Sequence, residues 1–250
     1  PAGTTNAGIV DDLAGLAAVA HEHELWLHVD AAYGGGALFA PSVRGRFAGI
    51  EAADSLVIDP HKWLYAPFDC CALLYRDPTV ARAAHAQHAA YLEPMRTPSS
   101  RGPGITSNDT ASAASDLRPP AEQEWDPADY AYHLSRRARG LPIWYSLAVH
   151  GTDAFRDAIE HVLATARAAA DLVDATPHVS LVREPELSVV LFRRPGWGDD
   201  DYARWSRELL ATQTAFVLPT SWHGETVGRA VFLHPNTTLG IFEEVIAAMA

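Results

Sequence analysis

The chain has 250 residues, 48% of them hydrophobic and 20% charged, which suits a soluble globular protein able to bury a sizeable core in one or two domains. Against 31 Asp and Glu stand 19 Lys and Arg, a formal net charge of −12. That balance argues against nucleic acid or an anionic membrane as the main partner, while leaving room for a small anion in a local pocket. The two cysteines, Cys70 and Cys71, are adjacent on an apparent strand and point to opposite faces, so they are expected to stay reduced, in a cytoplasmic setting. No apolar run is long enough to span a bilayer.

The chain begins PAGTTNAGIV, without Met or a lead-in element, and reads as cut near the end of a strand. Part of the fold is therefore expected to precede it or to come from another chain. The Gly3–Gly8 stretch is a turn by composition. Asp11 and Asp12 open a helix, carried by Leu13, Leu16, Val19 and Ala20 at helical spacing and closed by His21–Glu24. His21 and His23, two residues apart on a helix, do not share a face and read as a solvated helix end rather than metal ligands. A first strand is expected at Leu25–Val29, followed by Asp30 and the small residues Ala31, Ala32 and Gly34–Gly36, which would let something flat approach the backbone. A partly helical connector, Ser42–Ile50, leads to a second strand at Ser55–Ile58, which ends in Asp59-Pro60-His61-Lys62-Trp63. Cys70–Arg76 is a third strand. Asp77 and Pro78 then start a helix running to about Ala90.

From 93 to 124 Pro, Ser, Thr, Gly and Asp dominate and apolar periodicity is lost, as in a lid or a disordered segment. A helix is expected from Asp126-Pro127, with Arg136, Arg137 and Arg139 near its middle. Gly151 marks a break, and a long amphipathic helix follows from about Asp153 to Ala175. Strands at Val179–Val182, Ser188–Arg193, Ala215–Leu218 and Arg229–Leu233, with helices at Asp200–Gln213 and Leu239–Met249, make a second, smaller α/β domain, 151–250, after a first domain, 1–150.

In an open α/β sheet, ligands sit outside the carboxyl ends of the strands, so Asp30 and Lys62 are expected to face one crevice. Two chemistries compete for these residues. His28, Asp30, Asp59 and His61 could hold a divalent metal and activate water for hydrolysis, but that reading gives Lys62 no role. Alternatively, the amine of Lys62 could condense with the aldehyde of pyridoxal phosphate while the Asp30 carboxylate stabilises a protonated ring nitrogen. The second reading uses more of the residues.

HVDAAYGG followed by DPHKWLYAPFDC resembles the group II pyridoxal-phosphate-dependent amino-acid decarboxylases, the family of aromatic-L-amino-acid, histidine and glutamate decarboxylases. The likeness continues in GTTNAGIVDD and LSRRARGLPIW, and weakly in HPNTT. It implies a fold type I (aspartate-aminotransferase-like) α/β architecture. Residues 1–150 would be the later part of the cofactor-binding large domain, and 151–250 the small C-terminal domain. It implies roles as well. Lys62 would be the Schiff-base lysine, with Asp30 on the pyridine nitrogen and Ala32 against one ring face. Thr5 would lie by the cofactor, with His61 near its phosphate. Tyr91 would sit on a mobile loop and protonate the substrate carbon after carbon dioxide leaves. Relatives that make aldehydes carry Phe at that position, so Tyr91 favours simple decarboxylation.

Asp59 departs from the pattern. Aromatic-amino-acid decarboxylases commonly carry a phosphate-contacting Asn there, and an ionised Asp59 would repel phosphate unless turned away or offset by a cation. Family members are about twice this length, so the resemblance implies an N-terminal half preceding Pro1 that supplies most phosphate contacts, and a homodimer of complete units. The expected reaction is decarboxylation of an L-amino acid, aromatic rather than acidic, with a non-catalytic half-subunit as the competing class.

Overall fold

The computed structural model of the chain describes residues 1–85, 127–133 and 135–250. They form two compact units, Pro1–Leu74 together with Arg139–Ala250, and Tyr75–Ala138. Among the described residues no helix is long and apolar enough to cross a membrane.

The first unit begins with a turn that folds back on itself. Ala2 and Val10 form an antiparallel bridge, and the amides of Gly3 and Thr4 both donate to the Ile9 carbonyl. Gly3 and Gly8 close the turn with φ of 108° and 69°, a region that glycine enters without strain. Helix α1, Leu13–Glu22, starts where the acidic pair places it: the Asp12 carboxylate accepts the Gly15 amide at 2.9 Å. Strand β1 is His28–Asp30, shorter and later than the apolar run suggests. Leu25 and Trp26 are 60% and 50% exposed, so hydrophobicity there does not report a buried strand.

Helix α2, Pro41–Arg44, leads to β2, Ser55–Ile58, which coincides with the expected strand. Strand β2 runs parallel to β1 with His28 opposite Ser55 and Asp30 opposite Val57. Helix α3 is the single turn Pro60–Trp63, and β3, Ala72–Tyr75, completes a sheet of order β1-β2-β3. The glycines after β1 do not open a slot for a flat ligand. Gly34–Phe39 wind into a 3₁₀ helix packed on the protein itself. A Cβ on Gly34 would fall 2.0 Å from the Ala2 carbonyl oxygen, and one on Gly35 2.7 Å from Ile58.

In the second unit, helix α4 covers Pro78–His85, with the Asp77 carboxylate accepting the Thr79 amide at 2.9 Å. Arg82 pairs with the buried Asp129 at 3.1 Å, and Asp129 lies in a 3₁₀ turn, Pro127–Tyr130. That turn replaces the helix expected from Asp126. Arg136 and Arg137 accordingly lie on non-helical backbone ahead of α5, Gly140–Ala175, and Arg139 sits at its N-cap. Gly151, at φ 75° and ψ 164°, interrupts α5 at the expected break.

Arg139 and the whole of α5 belong to the first unit, and the later part of α5 buries Phe155, Ile159, Val162, Leu163, Ala166 and Ala170, an i, i+3, i+4 stripe. It packs on a four-stranded antiparallel sheet of order β4-β5-β7-β6. The strands are β4 Ser180–Arg183, β5 Val189–Arg193, β6 Thr220–Trp222 and β7 Glu225–Val231. Helices α6, Asp199–Ala211, and α7, Leu239–Ala247, complete it. Phe192 on β5 meets Trp205 and Phe242 edge-on at 6.0 and 5.5 Å. Ala215–Leu218, expected as a strand, is irregular; Phe216 and Leu218 are exposed and β6 forms just beyond them.

Tyr33 joins the two sheets. Its ring stacks on Trp63 at 5.1 Å and 6°, and its hydroxyl lies 2.6 Å from Ser188 Oγ and accepts the Ser188 amide at 3.0 Å. Ser188, just before β5, is wholly buried. Tyr33→Phe leaves both Ser188 groups short of a partner and is expected to cost about 1–3 kcal/mol in urea unfolding. Burial pushes the Tyr33 phenol up to about 12, outweighing the Ser188 hydrogen bonds and the Arg229 charge that pull it down. Between about pH 10 and about pH 12 the unfolded chain therefore loses this proton while the native one keeps it, and stability falls as pH rises. That alkaline decline should be shallower in Tyr33→Phe, and an unchanged slope would exclude Tyr33 as its source.

Candidate active site

The parallel register sets the site. Strands β1 and β2 end nearly level, and two backbone bonds staple their ends: Ala31 donates to Val57 O at 3.0 Å, and Asp59 to Ala32 O at 3.1 Å. Asp30 and the Asp59–Lys62 turn therefore emerge side by side, as expected for a crevice at strand ends. Asp30 is exposed. One oxygen accepts the Ala32 amide at 3.0 Å, and the other is left for a further donor. The Ala2 amide holds the Asp30 carbonyl at 2.7 Å, which brings the Gly3-Thr4-Thr5 turn alongside.

Pro60 is pre-set for the first turn of α3, and Lys62 N donates to Asp59 O at 2.9 Å. That one turn folds the Lys62 side chain back over Asp59, with Nζ 3.0 Å from the carboxylate. The Asp59 side chain does not cap the helix. It accepts instead from Lys62 and from the Cys71 thiol. Burial raises the Asp59 carboxyl, but the Lys62 and Cys71 hydrogen bonds and the Lys62 and His61 charges outweigh it and hold it below the usual carboxylate range. Cys71 is pushed up to about 11, by burial first and then by the Asp59 hydrogen bond and charge. His61 Nδ1 donates to the Cys70 carbonyl at 2.6 Å, leaving Nε2 4.0 Å from Asp59.

Asp30, Ala32, Asp59, His61 and Lys62 thus share one pair of strand ends. Thr5 lies in the turn beside β1, exposed, with its carbonyl accepting Arg229 Nη2 at 2.5 Å while Arg229 Nε reaches Asn6 O at 3.0 Å. Arg229 and Thr5 line a cavity of about 220 Å³ with Asn6, Leu218, Pro219 and Thr220. Tyr91 lies outside the described residues, as does the 93–124 segment. Sequence reasoning missed Cys71, Arg229 and Tyr33. Cys70 and Cys71, expected on the third strand, lie just before it, since β3 begins at Ala72; nothing local signals that the Cys71 thiol faces Asp59, and Arg229 is distant from Thr5 in sequence.

The metal alternative does not assemble. Among the described residues no three His, Cys, Asp or Glu side chains converge as a metal site. His28 Nδ1 is engaged with Ser55 Oγ at 2.8 Å, Asp30 with its own turn, and Asp59 with Lys62. Arg139 pairs with Asp69 at 2.9 Å.

Residues 1–102 match the pyridoxal-dependent decarboxylase conserved domain. The aromatic-L-amino-acid decarboxylase of Bacillus atrophaeus is 31% identical over 192 residues, covering 77% of this chain and 35% of that protein. The L-2,4-diaminobutyrate decarboxylase of Rhizobium meliloti (strain 1021) is 30% identical over 253 residues, covering 99% of this chain and 46% of its own length. The crystal structure of Oryza sativa TDC with PLP and tryptamine superposes with a TM-score of 0.80 at 28% identity, over 99% of this chain and 49% of that one. The chain belongs to the group II pyridoxal-phosphate-dependent amino-acid decarboxylase family and has its fold type I architecture. It spans between about a third and a half of the length of these relatives.

The residues present fit the cofactor of that family. A half-exposed amine and an exposed carboxylate oxygen stand at adjacent strand ends, the pair needed for an aldehyde and a pyridine nitrogen. The Asp59 charge also carries a pH signature. Its carboxyl is lowered in the folded state, so its contribution to stability is complete above the unfolded value of about 4 and disappears as pH falls through the lower folded value. Asp59→Asn is expected to flatten the acid limb of a thermal-melting profile below about pH 4, and an acid limb identical to wild type would show the pair contributes nothing there.

Proposed function

We propose that this chain carries the imine-forming part of a pyridoxal-phosphate-dependent decarboxylase that converts an aromatic L-amino acid to its amine and carbon dioxide. The observation that supports the reading is the level parallel pairing of β1 and β2, whose carboxyl ends lead into Asp30 and into the Asp59–Lys62 turn. The aromatic preference is supported by relatives named aromatic-L-amino-acid decarboxylase and tyrosine decarboxylase, while a diaminobutyrate decarboxylase of similar identity marks the competing substrate class. The division into a large-domain part, 1–150, and a small domain, 151–250, belongs to the same proposal, as do a homodimer and an N-terminal half completing the substrate pocket.

Bound pyridoxal phosphate would supply a ring able to accept the electron pair left when the α-carboxylate departs. Lys62 Nζ would anchor the aldehyde carbon and yield it to the substrate amine. Asp30 would hold the proton on the ring nitrogen, and its rigid Ala32 hydrogen bond keeps the carboxylate aimed. Ala32 leaves room at one ring face, Thr5 borders it, and His61 is assigned to the phosphate. The Tyr91 hydroxyl would return a proton to the substrate α-carbon.

Borohydride reduction after incubation with pyridoxal phosphate should leave the pyridoxyl group on the Lys62 peptide in mass spectra, and the visible band should vanish in Lys62→Ala. A band that survives that substitution would sink the assignment. In the completed enzyme, Tyr91→Phe should divert L-tyrosine from tyramine to aldehyde and ammonia, with oxygen uptake. L-2,4-diaminobutyrate should turn over about ten-fold or more slowly than L-tyrosine. An unchanged amine yield would remove Tyr91 from the mechanism, and a reversed preference would make the substrate basic.

A further inference from the structure

Three features of the Lys62 turn are unexplained by imine chemistry alone: a carboxylate beside the reactive amine, a thiol bonded to that carboxylate, and an ordered histidine behind it. We propose that Asp59 and Cys71 are positioning residues for Lys62, the thiol fixing the carboxylate and the carboxylate holding the ammonium until an aldehyde displaces it.

The geometry supports each link. Asp59 is fixed by its backbone, whose amide donates to Ala32 O across the strand ends. Its side chain is only 15% exposed and leaves the N-terminus of α3 uncapped, so its acceptor capacity is directed to Lys62 Nζ at 3.0 Å and to Cys71. Cys70 and Cys71, on the segment just before β3, have different tasks. Cys70 is buried and its carbonyl orients His61, whereas Cys71 turns its thiol to Asp59. The charged groups facing Asp59 are Lys62 and His61 from its own turn, with Cys71 from the β3 approach. Lys62 remains 38% exposed, so the pair is accessible to a competing ligand.

Its effect on cofactor capture rests on the function proposed above. For the aldehyde to bind, the Lys62 ammonium must leave Asp59 and give one proton to solvent base. The neutral amine then adds to the carbonyl carbon, a C=N bond replaces C=O, and the oxygen departs as water with the two remaining amine hydrogens. Each such event separates the ion pair, so Asp59 slows loading.

Lys62 is the only lysine in the sequence, which makes it readable without any cofactor. The 250-residue chain is treated with an acetylating reagent at neutral pH, and the acetylated Lys62 peptide is followed by mass spectrometry. Asp59→Asn should raise the Lys62 rate about five-fold at low salt, the scale of a partly exposed ion pair. Cys71→Ser, which keeps a donor, should stay near wild type, whereas Cys71→Val should move toward Asp59→Asn. In wild type, added salt up to about 1 M, where the screening length is about 3 Å, should raise the rate, and in Asp59→Asn it should not. The salt arm needs no variant to fold. Equal rates in wild type and Asp59→Asn, or a salt-independent wild type, would overturn the ion-pair role. Equal rates in Cys71→Val and wild type would overturn that of Cys71. Pyridoxal phosphate loading, trapped with borohydride, should accelerate in Asp59→Asn by a similar factor. If neither protein takes up cofactor when completed by its N-terminal half, the decarboxylase reading fails while the acetylation rates still judge the pair.

Discussion

Tyr33 holds the two halves of the first unit together. Its hydroxyl engages both the side chain and the amide of Ser188, while its ring lies flat on Trp63, the residue after Lys62. One side chain therefore ties the segment after β1 to the entry of β5 and to the turn that carries Lys62. A buried phenol with two partners is stabilising only while both partners are in place, because an unpaired buried hydroxyl or amide costs more than a made bond contributes. The glycines after Tyr33 serve the same junction. Gly34 and Gly35 let the Ala2 carbonyl and Ile58 come into contact with the backbone where any side chain would collide.

Around that junction the N-terminal turn is gripped from the C-terminal sheet. Asn6 exchanges hydrogen bonds with Thr220 and Ser221, Arg229 holds the carbonyls of Thr5 and Asn6, and the Val10 amide donates to Glu186. The position of Thr5 relative to Asp30 thus depends on contacts more than 200 residues away in sequence. A substitution at Arg229 would act on the site through this turn as well as through the cavity it lines.

The Asp59 departure from the family pattern resolves into a local charge balance. An ionised carboxylate at the strand end is tolerable because Lys62 and His61 flank it and Cys71 donates to it. The same balance links structure to chemistry, since whatever engages Lys62 must also leave Asp59 with one cation fewer.

Much of this was legible from residue order. The second strand, the Asp12 cap, the break at Gly151 and the placing of Asp30 and Lys62 just past two strand ends follow from local rules: alternation, capping, φ preference and the ends of apolar runs. The misplaced elements have local causes. Leu25, Trp26, Phe216 and Leu218 are apolar but exposed, because hydrophobicity in a sequence does not record what covers it, while the helix expected from Asp126 on its Asp-Pro start gives way to a 3₁₀ turn and begins only at Gly140. The sequence by itself determined which chemical groups stand at the strand ends. Tertiary structure alone decided that Ser188 meets Tyr33, that Arg229 holds Thr5 and that Cys71 faces Asp59, because those partners are set by how the sheets and turns pack, and no local spacing encodes that packing.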